Sequence, residues 1–322
     1  MSPSDDAAQA VPARERTATR RGGLGIGILW RFSRPHTIVG TTLSVLALHV
    51  IAVTRFRGGA LTANLFDLFW TLVVGWCVNI FIVGINQLED VEIDRINKPF
   101  LPIAAGELTQ AAGRMIVALA ALLSLGIAVT QDAAELIAVT LGLAVGIAYS
   151  VPPLRLKRFP VLASLSIMFV RSVVVNLGVW LHFSHSFGGG PTIHPAVWAL
   201  VAVTIPFSFA IAILKDLPDV EGDRRYAIAT FSVRLGARWV FATGVVALTL
   251  AELGMATIGP ALLHGASRPF LAGAHVAAAA VLWAAAARID LADRAAITKF
   301  YMRVWMLFFL EYVIVAAAYL IG

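Results

Sequence analysis

Hydrophobic residues along this chain do not alternate with polar ones. They fall into nine long blocks, approximately 37–54, 66–87, 110–130, 134–150, 160–182, 196–214, 237–259, 269–287 and 300–321, separated by short polar stretches. Most blocks approach the roughly 20 residues that a helix needs to cross a hydrocarbon core. The two-residue alternation of a membrane barrel is missing. A backbone in lipid must satisfy its own hydrogen bonds, which leaves helices. The pattern therefore predicts an all-α integral membrane protein of about nine transmembrane helices.

Composition supports one membrane domain over residues 30–322 rather than two soluble ones. Only 14% of residues are charged, against about 25% in an ordinary soluble domain, and the mean hydropathy is +0.83. Residues 1–29 carry Arg14, Arg16, Arg20 and Arg21 among Ser, Thr and Pro. They read as a disordered cytoplasmic tail. No apolar core with a cleavage site follows, as a secretory signal requires, and Asp5, Asp6 and Glu15 make a poor transit peptide. The sole cysteine, Cys77, lies in an apolar block. A disulfide framework and a cysteine metal site are thereby excluded within one chain.

The net charge of +6 does not mark a nucleic-acid binder, because lysine and arginine sit in short loops between apolar blocks. There they orient a membrane protein. With the tail inside, the inside segments hold Arg31, Arg34, Arg95, Lys98, Arg114, Arg155, Lys157, Arg158, Lys215, Arg224, Arg225, Arg234, Arg238, Arg288, Arg294 and Lys299. The outside loops hold only Arg55, Arg57 and Arg268. The expected location is a bacterial cytoplasmic membrane, with the N-terminus on the cytoplasmic side and an odd number of spans. His182, His185 and His194 fall at a loop near 183–195 that has no lysine or arginine. They are expected in a solvated outside loop.

Two acidic runs carry candidate chemistry. NQLEDVEIDRINKPFLP, residues 86–102, closes the second block; Asn86, Asp90 and Asp94 are spaced by four. On a helix they share one face, with Glu89 and Glu92 turned elsewhere. KDLPDVEGDRR, residues 215–225, closes the sixth block and gathers Asp216, Asp219 and Asp223, with Pro218 and Gly222 interrupting a regular helix. Both runs fall on the cytoplasmic face, and basic residues follow each. Two like charges 4 Å apart repel by about 4 kcal/mol at an effective dielectric of 20. Two such groups around one cavity call for cations. Carboxylate and amide oxygens suit Mg²⁺, which commonly bridges carboxylates to phosphates, so the implied anion is a diphosphate. A third stretch, YSVPPLRLKRF at 149–159, follows the fourth block. Pro152 and Pro153 force an extended turn there, and Arg155, Lys157 and Arg158 crowd the same face. Spacing alone leaves an ordinary positive-inside loop and a phosphate contact equally open. GLGIG at 23–27 follows no strand and is not a nucleotide phosphate loop.

Paired aspartate motifs on a nine-block membrane chain resemble the UbiA superfamily of membrane prenyltransferases. NQLEDVEIDRINKPFLPIAAGEL, YSVPPLRLKRF, VRSVVVNLG, KDLPDVEGDRR and FFLEY together resemble its homogentisate prenyltransferase branch, from about Arg34 to Tyr312. The resemblance implies a helical bundle around a central cavity. It implies one Mg²⁺ site at Asn86, Asp90 and Asp94 and a second at Asp219 and Asp223, with Asp216 contributing. It implies that Arg34, Arg95, Lys98, Arg155, Lys157 and Lys215 face the diphosphate, with Tyr149 near the reacting groups. The implied partners are a prenyl diphosphate of the phytyl or geranylgeranyl class, an aromatic acceptor such as homogentisate, and the bilayer. The implied product is a decarboxylated prenylquinol of tocopherol or quinone type. Another phenolic acceptor and a membrane terpene cyclase of the same superfamily are the alternatives.

Arg171 lies deep in the fifth block, where an arginine costs about 2.5–3.5 kcal/mol on insertion scales and needs a partner. A pair with Glu311 in the ninth block is one reading. The other is that Arg171, or Asn176 one turn away, holds the carboxylate of the acceptor, for which a guanidinium offers two parallel donors.

Overall fold

The computed structural model describes residues 25–220 and 230–322. Among them no strand is present, and nine helices are long and apolar enough to cross a membrane. In chain order they are α1 (Pro35–Arg57), α2 (Leu65–Glu89), α3 (Gln110–Gln131), α4 (Ala133–Ser150), α5 (Pro160–Ser186), α6 (Pro195–Leu214), α7 (Ala237–Thr257), α8 (Arg268–Ala286) and α9 (Arg294–Leu320). The apolar blocks foretell each one. The largest departures are at α5, which runs four residues beyond its block, and at α9, which starts six residues before it. Arg294, Lys299 and Arg303 in the first turns of α9 break the apolar run without breaking the helix. A short helix, Ile26–Phe32, precedes α1 and buries Phe32, so part of the segment expected as tail is structured.

Helix ends follow local chemistry. Thr109 and Asp132 accept hydrogen bonds from the first-turn amides of α3 and α4, the usual service of an N-cap. Pro35, Pro160 and Pro195 open α1, α5 and α6; a first-turn proline loses no hydrogen bond there.

Packing sorts the helices into two groups. α1, α2, α4, α5, α6 and α9 contact one another around a central cavity and supply its walls. α3 packs outside α2 and α4, while α7 and α8 pack outside α6 and α9. Lipid offers little hydrophobic drive between helices, so close approach by small residues does much of the joining. At Gly178 of α5 a Cβ would meet the Cβ of Ala138 on α4 at 2.4 Å. Leu119, Leu122 and Val129 of α3 and Leu250 of α7 remain exposed, as a lipid-facing surface requires.

Candidate active site

The site lies where α2, α4 and α6 end and α1, α5 and α9 begin. α2 stops at Glu89. Asp90 leaves helical geometry (φ −112°, ψ 21°), and a short helix, Val91–Asn97, follows. The expectation of one continuous helix through 86–94 is therefore corrected. The backbone bonds Asp90 N to Asn86 O (3.1 Å) and Asp94 N to Asp90 O (2.8 Å) nevertheless keep the three residues stacked. The negative ends of the α2 and α6 dipoles meet here beside aspartates. Such ends attract cations and disfavour anions.

Each aspartate has a different setting. Asp90 accepts from Asn86 Nδ2 (3.2 Å), Arg155 (3.0 Å) and Lys157 Nζ (2.6 Å). Burial lowers the Lys157 ammonium from its usual range, against the opposing pull of Asp90. Asp94 is 5% exposed, and its Oδ2 has no hydrogen-bond partner among the described residues. Burial pushes its carboxyl up to about 6, although Lys98 and Arg34 pull the other way. Asp219 is ion-paired with Lys98 and lies 3.8 Å from Arg294. Asp216 stands 4.0 Å from Lys215, and burial raises its carboxyl. Lys98 thus bonds one acidic run while acting electrostatically on Asp94 in the other. Asp223 lies outside the described residues.

Arg34 holds a left-handed backbone (φ 52°) immediately before α1. With His36 and Thr37 it lines the cavity at a helix N-terminus, a setting suited to anions. Asn86, Tyr149 and Lys215 line the cavity too, and Lys215 Nζ donates to the Tyr149 hydroxyl at 2.8 Å. Arg95 departs from expectation. It is 55% exposed and holds Glu92 at 2.7 Å; like Asp90, Asp94, Lys98, Arg155, Lys157, Asp216 and Asp219, it does not itself line the cavity.

Deeper in, the walls become apolar and aromatic. Val74, Val78, Ile82, Val139, Ile167 and Val170 line the cavity. Tyr301, Trp305, Phe308 and Tyr312 project from α9. Arg171 enters this region from a π-helical segment of α5, Phe169–Val174. Its guanidinium lies 4.6 Å over the Trp305 ring and 5.7 Å over Phe308, and its buried NH1 has no hydrogen-bond partner among the described residues. The pairing with Glu311 is not formed; Glu311 faces His275 at 3.6 Å. Asn176 does not reach the cavity. Its amide donates to the Ser172 carbonyl (2.8 Å) and to Thr204 (3.3 Å), bracing the π segment.

Two further readings change. His182 is buried inside α5 and bonded to Asp132 at 2.6 Å, not solvated. Arg294, counted only for topology in the sequence, bonds the Asn97 carbonyl at 3.0 Å beside Asp219. The α9 aromatics were also legible, since positions 301, 305, 308 and 312 repeat at helical spacing.

The profile of the UbiA prenyltransferase family matches residues 37–307, most of the chain. The chain belongs to this family. It is accordingly a multi-pass membrane prenyltransferase. It is 42% identical over 290 residues to the homogentisate phytyltransferase of Synechocystis sp., covering 90% of this chain and 94% of that protein. It is 38% identical to homogentisate phytyltransferase 1 of Arabidopsis thaliana, covering 88% of this chain and 73% of that one. Among solved structures, the UbiA homolog from Archaeoglobus fulgidus bound to GPP and Mg²⁺ shares the fold, with a TM-score of 0.58 at 17% identity and coverage of 90% and 99%. The UbiA homolog from Aeropyrum pernix gives a TM-score of 0.61 at 16% identity, covering 89% of this chain and 98% of that one.

Proposed function

We propose that this enzyme transfers a phytyl or geranylgeranyl-like group from its diphosphate to homogentisate, with magnesium, giving a decarboxylated prenylquinol. The observation that carries the acceptor assignment is the unpaired Arg171 guanidinium inside an aromatic-walled cavity. Its natural complement is an aromatic ring bearing a carboxylate. The curated homogentisate prenyltransferases that the chain resembles support the same reading.

The donor set fits magnesium. Asn86, Asp90, Asp94, Asp216 and Asp219 offer hard oxygens, one of them buried without a partner, and Asp223 belongs to the same proposed set. Bound there, Mg²⁺ would neutralise charge on the diphosphate. The chain's own residues do the rest. Arg34, Lys157 and Lys215 would take the diphosphate, with Lys98 and Arg155 leaving their aspartates to join them. These cations stabilise the charge that grows on the leaving group as the carbon–oxygen bond breaks. Apolar walls hold the tail and exclude water. Arg171 would orient the ring, with Asn176 positioning the segment that carries it. The ring carbon forms the new bond to the allyl carbon and gives up its proton. The side-chain carboxylate departs as CO₂, a proton takes its place, and diphosphate is released. We place the diphosphate end and the N-terminus on the cytoplasmic side of a bacterial membrane, supported by the lysine and arginine asymmetry.

The test is product analysis by mass spectrometry. Protein stripped with chelator and resupplied with Mg²⁺ is given phytyl or geranylgeranyl diphosphate, with and without homogentisate. A prenylated, decarboxylated quinol that needs both metal and homogentisate is expected. A cyclic hydrocarbon formed without acceptor, or full turnover without metal, would overturn the proposal.

A further inference from the structure

α7 and α8 do not line the cavity, and α9 lines it with one face only. Yet these three helices each send one ionisable side chain to a common point. Glu252, His275 and Glu311 are all 0% exposed. The His275 Nδ1 lies 3.0 Å from Glu252 Oε2 and 3.6 Å from Glu311 Oε2. One potential ligand atom from each residue fits within 4.8 Å of the others. Both oxygens of Glu311, the Oε1 of Glu252 and the Nε2 of His275 have no hydrogen-bond partner among the described residues.

The charges need a counterion. With both carboxylates ionised and the imidazole neutral, the three groups would carry two negative charges at full burial. Burying such charges unpaired is costly. No lysine or arginine forms an ion pair with the cluster among the described residues. A divalent cation would cancel the charge. The spacing also fits one: tetrahedral zinc with bonds of about 2.0–2.1 Å holds its ligand atoms roughly 3.3 Å apart. The distances of 3.0 and 3.6 Å bracket that value. Imidazole nitrogen and carboxylate oxygen are both zinc ligands, whereas Mg²⁺ retains waters and demands six ligands. A spare carboxylate oxygen is at hand for a fourth position.

We propose that Glu252, His275 and Glu311 bind one zinc-class divalent ion that clamps α7, α8 and α9. The site is distinct from the aspartate groups. Glu252 lies five residues from the end of α7, which is the end opposite the side where α2 and α6 stop. It does not depend on the acceptor proposed above.

The experiment uses the full-length protein, made in zinc-supplemented cells and purified in detergent without chelator or metal-affinity resin. Metal analysis should find about one zinc per chain, and X-ray absorption should report one nitrogen with two or three oxygens at about 2.0–2.1 Å. His275→Ala combined with Glu311→Gln should abolish zinc retention. Asp90→Asn, in the other metal-binding region, should leave it intact. Unvaried protein that neither carries zinc nor takes it up when added would overturn the proposal, whatever the variants do; a proton shared between the carboxyls would then hold the cluster. Zinc lost with Asp90→Asn but kept in the double variant would overturn it equally.

Discussion

Arg171→Met separates the acceptor role from a purely structural one. The substitution removes the guanidinium but leaves an unbranched chain against Trp305 and Phe308. If Arg171 binds the acceptor carboxylate, the variant loses a charge-assisted hydrogen bond worth about 1.5–3 kcal/mol. At 1.36 kcal/mol per tenfold, that is roughly a 10- to 200-fold loss in kcat/KM for homogentisate. The KM for the prenyl diphosphate should move little. Stability of the resting protein follows from two opposed effects. Loss of the cation–π contact at 4.6 Å costs up to about 2 kcal/mol. Against it, removing a cation with an unpartnered buried NH1 relieves a desolvation penalty of similar or larger size, several kcal/mol. The melting temperature in detergent should therefore hold or rise. Because Glu311 faces His275 instead, neither Arg171→Met nor Glu311→Gln should rescue the other's effect on melting temperature. Steady-state kinetics varying each substrate in turn, read beside thermal shifts for both single variants and the double, supply the measurement. An unchanged homogentisate KM, or rescue of one variant by the other, would refute the assignment.

Two further predictions concern the metal donors and the cavity wall. Asp94→Asn should reduce magnesium-dependent turnover by at least about 100-fold, whereas exposed Glu92→Ala should stay within about twofold, surface changes being worth less than 0.5 kcal/mol. Activity per folded protein decides, and equal losses would mean that the stacked arrangement of Asn86, Asp90 and Asp94 is not what binds metal. Gly178→Val forces a side chain where an added Cβ alone would lie 2.4 Å from that of Ala138, an overpacking that costs about 1–3 kcal/mol. Both residues line the cavity, so the rate with geranylgeranyl diphosphate should fall more than the rate with geranyl diphosphate in a side-by-side assay; parallel losses would argue against tail binding at this wall.

The helices were legible because each must be apolar for a full bilayer thickness, and that signal needs no knowledge of neighbours. The aspartates were legible because like charges at fixed spacing have few uses inside a membrane protein. Faces were harder to read. Arg95 looked equivalent to Lys98 in the sequence, but helical i,i+3 spacing gives Arg95 to Glu92, while Lys98, at the end of the short helix, reaches Asp219. His182 looked like loop because α5 continues past the end of its apolar block, with Asp132 supplying the partner that makes burial tolerable. Glu252 and His275 carry no signal in the sequence, since nothing local shows that residues on three separate helices converge.

The π-helical segment of α5 has a consequence for how this protein can diversify. Such a segment holds one residue more than a plain helix of the same rise. Each residue turns an α-helix by about 100°. Deleting a single codon between Phe169 and Val174 would therefore let the segment close into a plain helix with both flanks of α5 in place, while changing which residues within the segment face the cavity. Substitutions change which group points into the cavity; a change of length by one changes which positions point there at all. Alignments that run ungapped through Arg171 assume a phase that a one-residue deletion would erase, so acceptor preference in this fold can be rewritten by insertion and deletion as well as by exchange.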